Sequence, residues 1–245
     1  MSPKGYVLKT GAVLIADAHY SDVHPEFLDF LKAIDSGTIV TSQLILMGDI
    51  FDLLFGHIPL TQQRNGEAIA LINSLSKKIE ILYLEGNHDF QLHAIFPNIE
   101  VIPIEQQPLL CHYKHQKILL AHGDYRGTWS YRLYLFLIRS SVVLRLLNGI
   151  DRLTNHAIIK RLDSRLRQKN HCRSIPNFQE KTDAHQELLA RYGCRYVIEG
   201  HFHQNRTFHY ETFEYINLAA FACNQRYFVV QCENKQELLQ EVFFK

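Results

Sequence analysis

Five short apolar runs of this 245-residue chain each end in Asp, Asn or His side chains. Written with their polar ends, the runs are AVLIADAH, LILMGDIFD, ILYLEGNHD, KILLAHGD and YVIEGHFH. Runs of this length and composition are typical of buried strands. The carboxyl ends of parallel strands meet at one edge of a sheet, where ligands bind. We therefore expect a mostly parallel sheet that brings all five polar ends to a single site.

Helical patterns separate the first three runs. The segments PEFLDFLKAI (25–34) and GEAIALINSL (66–75) have the apolar spacing of helices. Strand–helix alternation of this kind predicts an α/β fold with a parallel sheet covered on both sides. LLCHY and KILLAH flank Lys114–Gln116 and predict a hairpin, whereas the C-terminal strands are expected to be more antiparallel. The length suits a single domain over 1–245.

Residues from about 128 to 192 interrupt the strand pattern with a helical and strongly basic segment. Between Arg126 and Arg173 the chain has eleven Lys and Arg residues but only two acidic ones, Asp151 and Asp163. That stretch therefore carries a net charge of +9, and the rest of the chain carries −8. We predict that residues 128–192 form a helical insertion, or cap, within the single domain.

The side chains at the five polar ends are of the kinds that bind transition-metal ions. Carboxylate, amide and imidazole groups suit Mn²⁺, Fe²⁺, Zn²⁺ or Co²⁺ better than a structural zinc site, which uses thiolates. Seven candidate ligands exceed the needs of one ion, so two ions are predicted, about 3.5–4 Å apart. Asp49 is the candidate for a carboxylate that bridges the two ions. The seven candidates are Asp17, His19, Asp49, Asn87, His122, His201 and His203.

The same residues give the chain its resemblance to a known family. In order along the chain it has the blocks D-x-H, G-D-x-x-D, G-N-H-D, H-G-D and G-H-x-H, which resemble those of the calcineurin-like metallophosphoesterases. A single block of this kind is more often a turn or a cap, but five ordered blocks are specific. In this chain the blocks begin at Asp17, Gly48, Gly86, His122 and Gly200.

The resemblance implies a four-layer αββα sandwich with a helical cap insertion and a centre of two divalent ions, with Mn²⁺ as the expected metal. It implies that His88 is a catalytic residue near the leaving group rather than a ligand. Asp52 would orient His88 and support its charge, and Asn87 would help to stabilise charge on the phosphoryl oxygens. The implied ligand sets are Asp17, His19, Asp49 and His203 for one ion, and Asp49, Asn87, His122 and His201 for the other.

Other polar residues have weaker claims to a function. Asp89 and Asp124 are interpreted as residues that either fix a histidine tautomer or complete a turn. The five cysteines are scattered without CxxC spacing, so we expect them to be buried, reduced and without a disulfide framework. Nine further histidines are expected at surface or packing positions, namely His24, His57, His93, His112, His115, His156, His171, His185 and His209.

The basic segment carries the information about the substrate. It combines arginines with Trp129 and the apolar stretches LYLFLI and VVLRLL, a combination typical of contacts with anionic lipids or acyl chains. Nucleic acid is not expected as a partner, since the sequence does not interleave aromatic and basic residues in a binding platform. The alternative is that the basic segment is only a solvated face that binds no partner. The candidate substrate-binding residues are Arg126, Arg132, Arg139 and Arg145.

Within the family, the chain resembles the UDP-2,3-diacylglucosamine hydrolases of lipid A biosynthesis in the position of the basic segment and in the block GDIFDLLFG. That resemblance implies hydrolysis of the pyrophosphate to UMP and 2,3-diacylglucosamine 1-phosphate, with acyl chains sequestered by the segment. Two positions depart from the subfamily. His88 stands where arginine is usual, and Asp52 stands where glutamate is usual. Both departures are typical of the broader family.

We therefore predict a cytoplasmic, metal-dependent hydrolase of a nucleotide-linked lipid, with peripheral contact to an anionic membrane as an open alternative. The longest apolar stretch includes Arg139 and Arg145 and falls short of the ~20 apolar residues of a spanning helix. One alternative function is a generic cytosolic phosphatase, nuclease or dinucleoside-polyphosphate hydrolase. Another is a non-catalytic scaffold on the same fold. The sequence leaves the oligomeric state and the metal identity open.

Overall fold

The structure, a computed structural model, describes residues 5–126, 129–231 and 237–245. Thr128, Cys232 and the side chain of Arg132 lie outside the described residues. The expectations placed on these three residues therefore stay predictions.

The fold is built on two six-stranded sheets and one two-stranded sheet. The strands are β1 (Tyr6–Val7), β2 (Val13–Ile15), β3 (Gln43–Leu46), β4 (Leu54–Phe55), β5 (Glu80–Leu84), β6 (Asp89–Phe90), β7 (Glu100–Ile102), β8 (Leu109–Tyr113), β9 (Gln116–Ala121), β10 (Tyr196–Glu199), β11 (Arg206–His209), β12 (Glu214–Asn217), β13 (Arg226–Val230) and β14 (Leu239–Phe243). The sheet orders are β1-β8-β9-β10-β12-β11, then β14-β13-β2-β3-β5-β7, and β4-β6.

The strand directions follow most of the expectations. Strands β2, β3, β5 and β7 run parallel, and β8 and β9 form the expected antiparallel hairpin. The C-terminal strands are more mixed than expected, because β10 pairs in parallel with both β9 and β12. Strands β11 and β13 do pair antiparallel with their neighbours β12, β14 and β2.

Helices cover both outer faces of the paired sheets. They are α1 (Glu26–Asp35), α2 (Pro59–Arg64), α3 (Gly66–Leu75), α4 (Trp129–Ile138), α5 (Ser141–Leu153), α6 (Ala157–Leu166), α7 (Phe178–Asp183), α8 (Gln186–Ala190) and α9 (Phe221–Asn224), with a 3₁₀ turn at Ile104–Gln106. Helix α3 has the expected bounds, and α1 is shifted by one residue from the expected 25–34.

Alternation along the central strands explains the layers. Successive strand side chains point to opposite faces of a sheet. On β2, Val13 and Ile15 pack in the core cluster that includes α1 and α3, whereas Leu14 packs in the cluster between the two sheets. On the far side, Leu119 of β9 packs against Phe178 of α7. The order helix, sheet, sheet, helix confirms the predicted four-layer αββα sandwich.

The described elements between β9 and β10 are the helices α4 to α8. Leu144 of α5 and Ile159 of α6 pack against Leu53, Phe55 and Phe90, in and beside the small β4–β6 sheet. This apolar contact joins the basic segment to the strand ends where the candidate ligands lie. That the segment acts as a cap stays a prediction. In the part of the chain that the structure describes, no helix has both the length and the apolar character to cross a membrane.

Two cysteines correct the sequence expectation. Cys172 and Cys223 form a disulfide bond, with a sequence separation of 51 and 5.5 Å between their Cα atoms. Cys111 and Cys194 are buried and free, as expected. The sequence did not indicate the pair, because the fold alone brings the residues after α6 beside α9.

Candidate metal centre

The candidate ligands converge at the carboxyl ends of β2, β3, β5, β9 and β10. Asp17, His19 and Asp49 place their ligand atoms within 4.8 Å of one another. Asp49 belongs to a second such group with His122 and His201. One carboxylate thus lies in both groups, which is the position that a bridging ligand requires.

The remaining two candidates lie against these groups. His203 Nε2 is 3.1 Å from Asp17 Oδ1. Asn87 follows β5, and its side-chain Oδ1 is buried without a hydrogen-bond partner among the described residues. All seven residues chosen from the sequence are therefore brought to one place.

The backbone at the ligands adopts a conformation that most residues avoid. Five of the seven candidates have positive φ angles, which cost of order 1–3 kcal/mol for a residue other than glycine. The φ angles are 51° at Asp17, 45° at His19, 49° at Asp49, 62° at His201 and 60° at His203. Because the surrounding fold maintains this strain at every one of these positions, the strain points to a function for the loops rather than to a packing requirement.

Two glycines let the ligand loops approach each other closely. A Cβ atom at Gly86 would lie 2.2 Å from Asp49 Oδ1, and a Cβ atom at Gly200 would lie 2.6 Å from Asp17 Oδ2. Any larger residue at either position would displace a carboxylate of the centre. The glycines of the G-N-H-D and G-H-x-H blocks are therefore required by the space beside the ligands.

Hydrogen bonds fix the histidine tautomers in the form that a metal requires. The Nδ1 atom of His122 donates to the Met47 carbonyl oxygen at 2.9 Å, and Nδ1 of His203 donates to the His171 carbonyl oxygen at 2.6 Å. A carbonyl oxygen only accepts, so Nδ1 carries a proton in each ring, and Nε2 is the nitrogen that faces the carboxylates of the centre. This arrangement is usual for metal-binding histidines.

The residues fit divalent cations. His19 Nε2, His122 Nε2 and Asn87 Oδ1 are buried, and none has a hydrogen-bond partner among the described residues. An unpaired buried acceptor costs about 1–3 kcal/mol, so three in one place are costly unless something else binds them. A cation would satisfy all three, since each presents a lone pair.

The electrostatics of the centre favour cation binding as well. Burial alone would raise the pKa of Asp49, but the His122 and His88 rings bring that pKa well below its ordinary value. Burial likewise opposes the charge of Asp17, and His203 brings the pKa of Asp17 below its ordinary value. Burial, followed by the nearby His122, lowers the pKa of His201 to about 3. Ionised carboxylates beside a neutral imidazole are the forms that coordinate metals.

Asp52 has a different partner from the one expected. Its carboxylate Oδ1 accepts a hydrogen bond from His19 Nδ1 at 3.1 Å, so the side chain orients a candidate ligand. His88 Nδ1 instead donates to the Asp52 carbonyl oxygen at 2.9 Å. Asp52 therefore orients His88 through its main chain and His19 through its side chain.

Asp89 joins the loops that carry the ligands. Its carboxylate accepts hydrogen bonds from the backbone nitrogens of Asp49, Ile50 and Gly86, at 3.0, 2.6 and 2.9 Å, and from Tyr83 Oη at 2.6 Å. In these hydrogen bonds the Asp89 carboxylate binds the backbone of two ligand loops rather than a histidine ring. Asp124 Oδ2 instead lies 3.4 Å from Nη2 of Arg139.

The candidate substrate-binding arginines lie in different environments. The Arg139 side chain is 4% exposed, and Nη2 donates to the Gly86 carbonyl oxygen at 2.7 Å. Arg126 is also buried, in an ion pair with Glu199. Both side chains thus make ion pairs inside the protein, and their contact with a substrate stays a prediction. Arg145 is exposed on α5.

Two residues near the centre were not selected from the sequence. Lys169 Nζ lies 3.3 Å from His88 Nε2. His171, expected at a surface or packing position, is buried, and its ring centroid lies 3.9 Å from that of His19. Both follow α6 in the basic segment, outside every motif block. A single sequence gives no sign of them, because only the docking of the segment brings them here.

Known proteins that resemble this chain were found in sequence and in structure. The sequence profile described as calcineurin-like phosphoesterase matches residues 18–205. A protein named UDP-2,3-diacylglucosamine hydrolase from Pseudomonas fluorescens is 23% identical over 195 residues, covering 78% of this chain and 79% of its own length. The protein of that name from Serratia proteamaculans is 22% identical over 196 residues, covering 78% and 81%. Among solved structures, Yfce, a phosphoesterase from E. coli, aligns with a TM-score of 0.46 and 12% identity, covering 96% of this chain and 99% of that one.

Proposed function

The chain belongs to the calcineurin-like phosphoesterase family, and on this premise we propose that it hydrolyses the pyrophosphate bond of UDP-2,3-diacylglucosamine. The products would be UMP and 2,3-diacylglucosamine 1-phosphate. The proposal of hydrolysis rests on the convergence of the seven candidate ligands, in which two groups have Asp49 in common. The substrate part rests on the exposed apolar side chains of α4 and α5 and on the relatives of that name.

Two bound divalent ions supply an activated water and charge neutralisation to such a reaction. Mn²⁺ is the ion we propose, because carboxylate, amide and imidazole ligands accept it. The ligand sets are those predicted from the sequence: Asp17, His19, Asp49 and His203 for one ion, and Asp49, Asn87, His122 and His201 for the other.

His88 and Lys169 would act on the leaving group. Since His88 Nδ1 donates to a carbonyl oxygen, its Nε2 faces Asp49 Oδ2, which is 4.0 Å away, and Lys169 Nζ, which is 3.3 Å away. A sugar 1-phosphate is a stable leaving group that needs little protonation. The two side chains would therefore stabilise negative charge on it more than they would transfer a proton.

An exposed apolar surface lies on α4 and α5, the first two helices of the basic segment. We call it the α4–α5 surface. Nine of the eighteen large apolar side chains that are exposed in the described structure lie on these two helices. Water-exposed apolar area of this kind is a usual mark of a binding surface. The residues are Trp129, Leu133, Tyr134, Phe136, Leu137, Val142, Leu146, Ile150 and Leu153.

This surface would bind the acyl chains of the substrate. Each methylene group removed from water contributes about 0.8 kcal/mol, so two acyl chains offer ample binding free energy. Arg145 and Arg152 lie beside the apolar side chains and around a surface cavity of about 560 Å³. Their positive charge would favour anionic headgroups. Peripheral contact with the inner face of a membrane, by a cytoplasmic protein, is part of the proposal.

One observation favours a second candidate function, a generic phosphoesterase that acts on small diesters or polyphosphates. His88 and Asp52 stand where the lipid-processing subfamily usually has arginine and glutamate. Both residues lie in the centre, so the difference bears on the reacting phosphate.

The test is a substrate panel with the purified protein and Mn²⁺. UMP release from UDP-2,3-diacylglucosamine is measured beside release of product from bis(p-nitrophenyl) phosphate and a dinucleoside polyphosphate. The proposal predicts the highest kcat/KM for the lipid. Equal or faster turnover of the small substrates would favour the second candidate.

Leu146→Gln on α5 adds a matched variant, with Leu188→Gln on α8 as its control. Both side chains are exposed, 64% and 44% respectively, so neither change should unfold the protein. Leu146→Gln should lower kcat/KM for the lipid and leave the small diester unchanged. If both variants behave alike on the lipid, the α4–α5 surface does not bind acyl chains.

A further inference from the structure

His171 reaches the centre from the basic segment, between α6 and α7. Its side chain is 4% exposed. Its ring centroid lies 3.9 Å from that of His19 and 6.2 Å from that of His203. Its carbonyl oxygen accepts the hydrogen bond that fixes the His203 tautomer. Residue 171 therefore contacts the centre through both its ring and its main chain.

The ring is also in position to bind a cation. His19, His171 and His203 each offer a nitrogen, and these atoms lie within 4.8 Å of one another. His171 Nδ1 is buried and has no hydrogen-bond partner among the described residues. Its Nε2 lies 4.0 Å from Asp52 Oδ1, too far for a hydrogen bond. A packing histidine normally has its buried nitrogens satisfied, and this one does not.

We propose that His171 is an additional ligand of the ion held by Asp17, His19, Asp49 and His203. The inference rests on the di-metal centre of the proposed function, and not on the lipid substrate. A third imidazole would shift the preference of this ion site toward transition metals and away from Mg²⁺ and Ca²⁺, which favour oxygen ligands.

Covalent and hydrogen-bonded links hold His171 in place. The adjacent Cys172 is bonded to Cys223 in α9, and the backbone nitrogen of Ala222 donates to the Asp17 carbonyl oxygen at 3.2 Å. The disulfide thus links the His171 segment to the loop of a candidate ligand. On the other side, Gln204 accepts from the Ile175 backbone nitrogen at 2.7 Å. A ligand from the basic segment would therefore be as well positioned as one from the sheets.

Measurements of metal affinity distinguish whether His171 is a ligand or a packing residue. His171→Gln removes the imidazole, and His24→Gln is the matched control, because the half-buried His24 ring lies beside His171, 5.8 Å between centroids, but belongs to none of the ligand groups among the described residues. Each protein is loaded with Co²⁺ or Mn²⁺, titrated with a chelator and analysed for metal content, and the Co²⁺ absorption spectrum is recorded.

We expect His171→Gln to weaken the binding of one ion at least tenfold, since even loss of an outer partner of a ligand costs 10–100-fold. The second ion should keep its affinity, the Co²⁺ absorption bands should shift, and His24→Gln should match the wild type. Wild-type affinity and an unchanged spectrum for His171→Gln would overturn the inference alone. A wild-type protein that binds no metal would overturn the di-metal centre and this inference together.

A measurement on the wild type covers the case in which His171→Gln does not fold. In the Co²⁺-loaded protein, each coordinated histidine gives a paramagnetically shifted, exchangeable N–H signal in the proton NMR spectrum. The proposal predicts five such signals, from His19, His122, His171, His201 and His203. Four signals would overturn it.

Discussion

Arg139 offers a sharp test of how the basic segment is joined to the centre. Its guanidinium lies between two buried carboxylates, with Nη2 3.4 Å from Asp124 Oδ2 and Nη1 3.6 Å from Glu85 Oε2. It also donates to the Gly86 carbonyl oxygen, directly beside the ligand Asn87. Arg139→Met keeps most of the apolar stem and removes the charge, so it isolates the contribution of the guanidinium.

The magnitude follows from the burial of all three partners. Removing one member of a buried ion pair costs about 3–5 kcal/mol, because the other charge stays buried without compensation. We expect Arg139→Met to lower the free energy of unfolding by that amount. The exposed Arg145 on α5 is the matched control, and Arg145→Met should change it by less than about 0.5 kcal/mol.

Urea denaturation followed by circular dichroism measures both values. Adding Asp124→Asn to Arg139→Met should recover part of the loss, since the uncompensated carboxylate is then neutral. A loss below about 1 kcal/mol for Arg139→Met would refute the argument. It would mean that Arg139 is free to contact a substrate, as the sequence alone suggested.

Three further changes test separate parts of the structure. His88→Ala should retain both metals and lower kcat by roughly 10²–10³-fold, the usual loss for one transition-state donor; loss of metal on mass spectrometry would make His88 a ligand instead. Cys223→Ser opens a loop of 51 residues and should lower the free energy of unfolding by about 4 kcal/mol in the chain-entropy estimate. A thiol reductant should lower the stability of the wild type by the same amount and leave the variant unchanged. A wild type whose stability does not change with reductant would exclude the disulfide. Gly86→Ala should empty the metal centre, because the new Cβ would lie 2.2 Å from Asp49 Oδ1, whereas Gly149→Ala in α5 meets nothing within 4 Å and should keep both ions.

The motif residues could be predicted because strand order determines where they lie. Each ligand follows a short apolar run, and parallel strands present their carboxyl ends at the same edge. That rule places Asp17, Asp49 and His122 together without further information. The alternation of strands and helices also predicted the parallel core strands, and the apolar spacing predicted helix α3 at its observed bounds.

Contacts created by the docking of the basic segment could not be predicted in this way. His171, Lys169 and the Cys172–Cys223 bond depend on how the residues after α6 pack beside α9 and β2, and no local spacing encodes that packing. The burial of Arg139 could not be predicted for a related reason. Arginines on an apolar helix are typical of a lipid-facing surface. Arg139 instead points inward, to two carboxylates that are distant in sequence.

We propose that Asp49 serves two ions in a hydrolytic centre. The most direct test measures bound metal per chain by mass spectrometry, with UMP release from UDP-2,3-diacylglucosamine in the same samples, for the wild type and Asp49→Ala. We expect two ions and turnover for the wild type, and loss of both ions and of turnover for Asp49→Ala, because Asp49 lies in both ligand groups. An Asp49→Ala protein that retains two ions and turns over the substrate would contradict it.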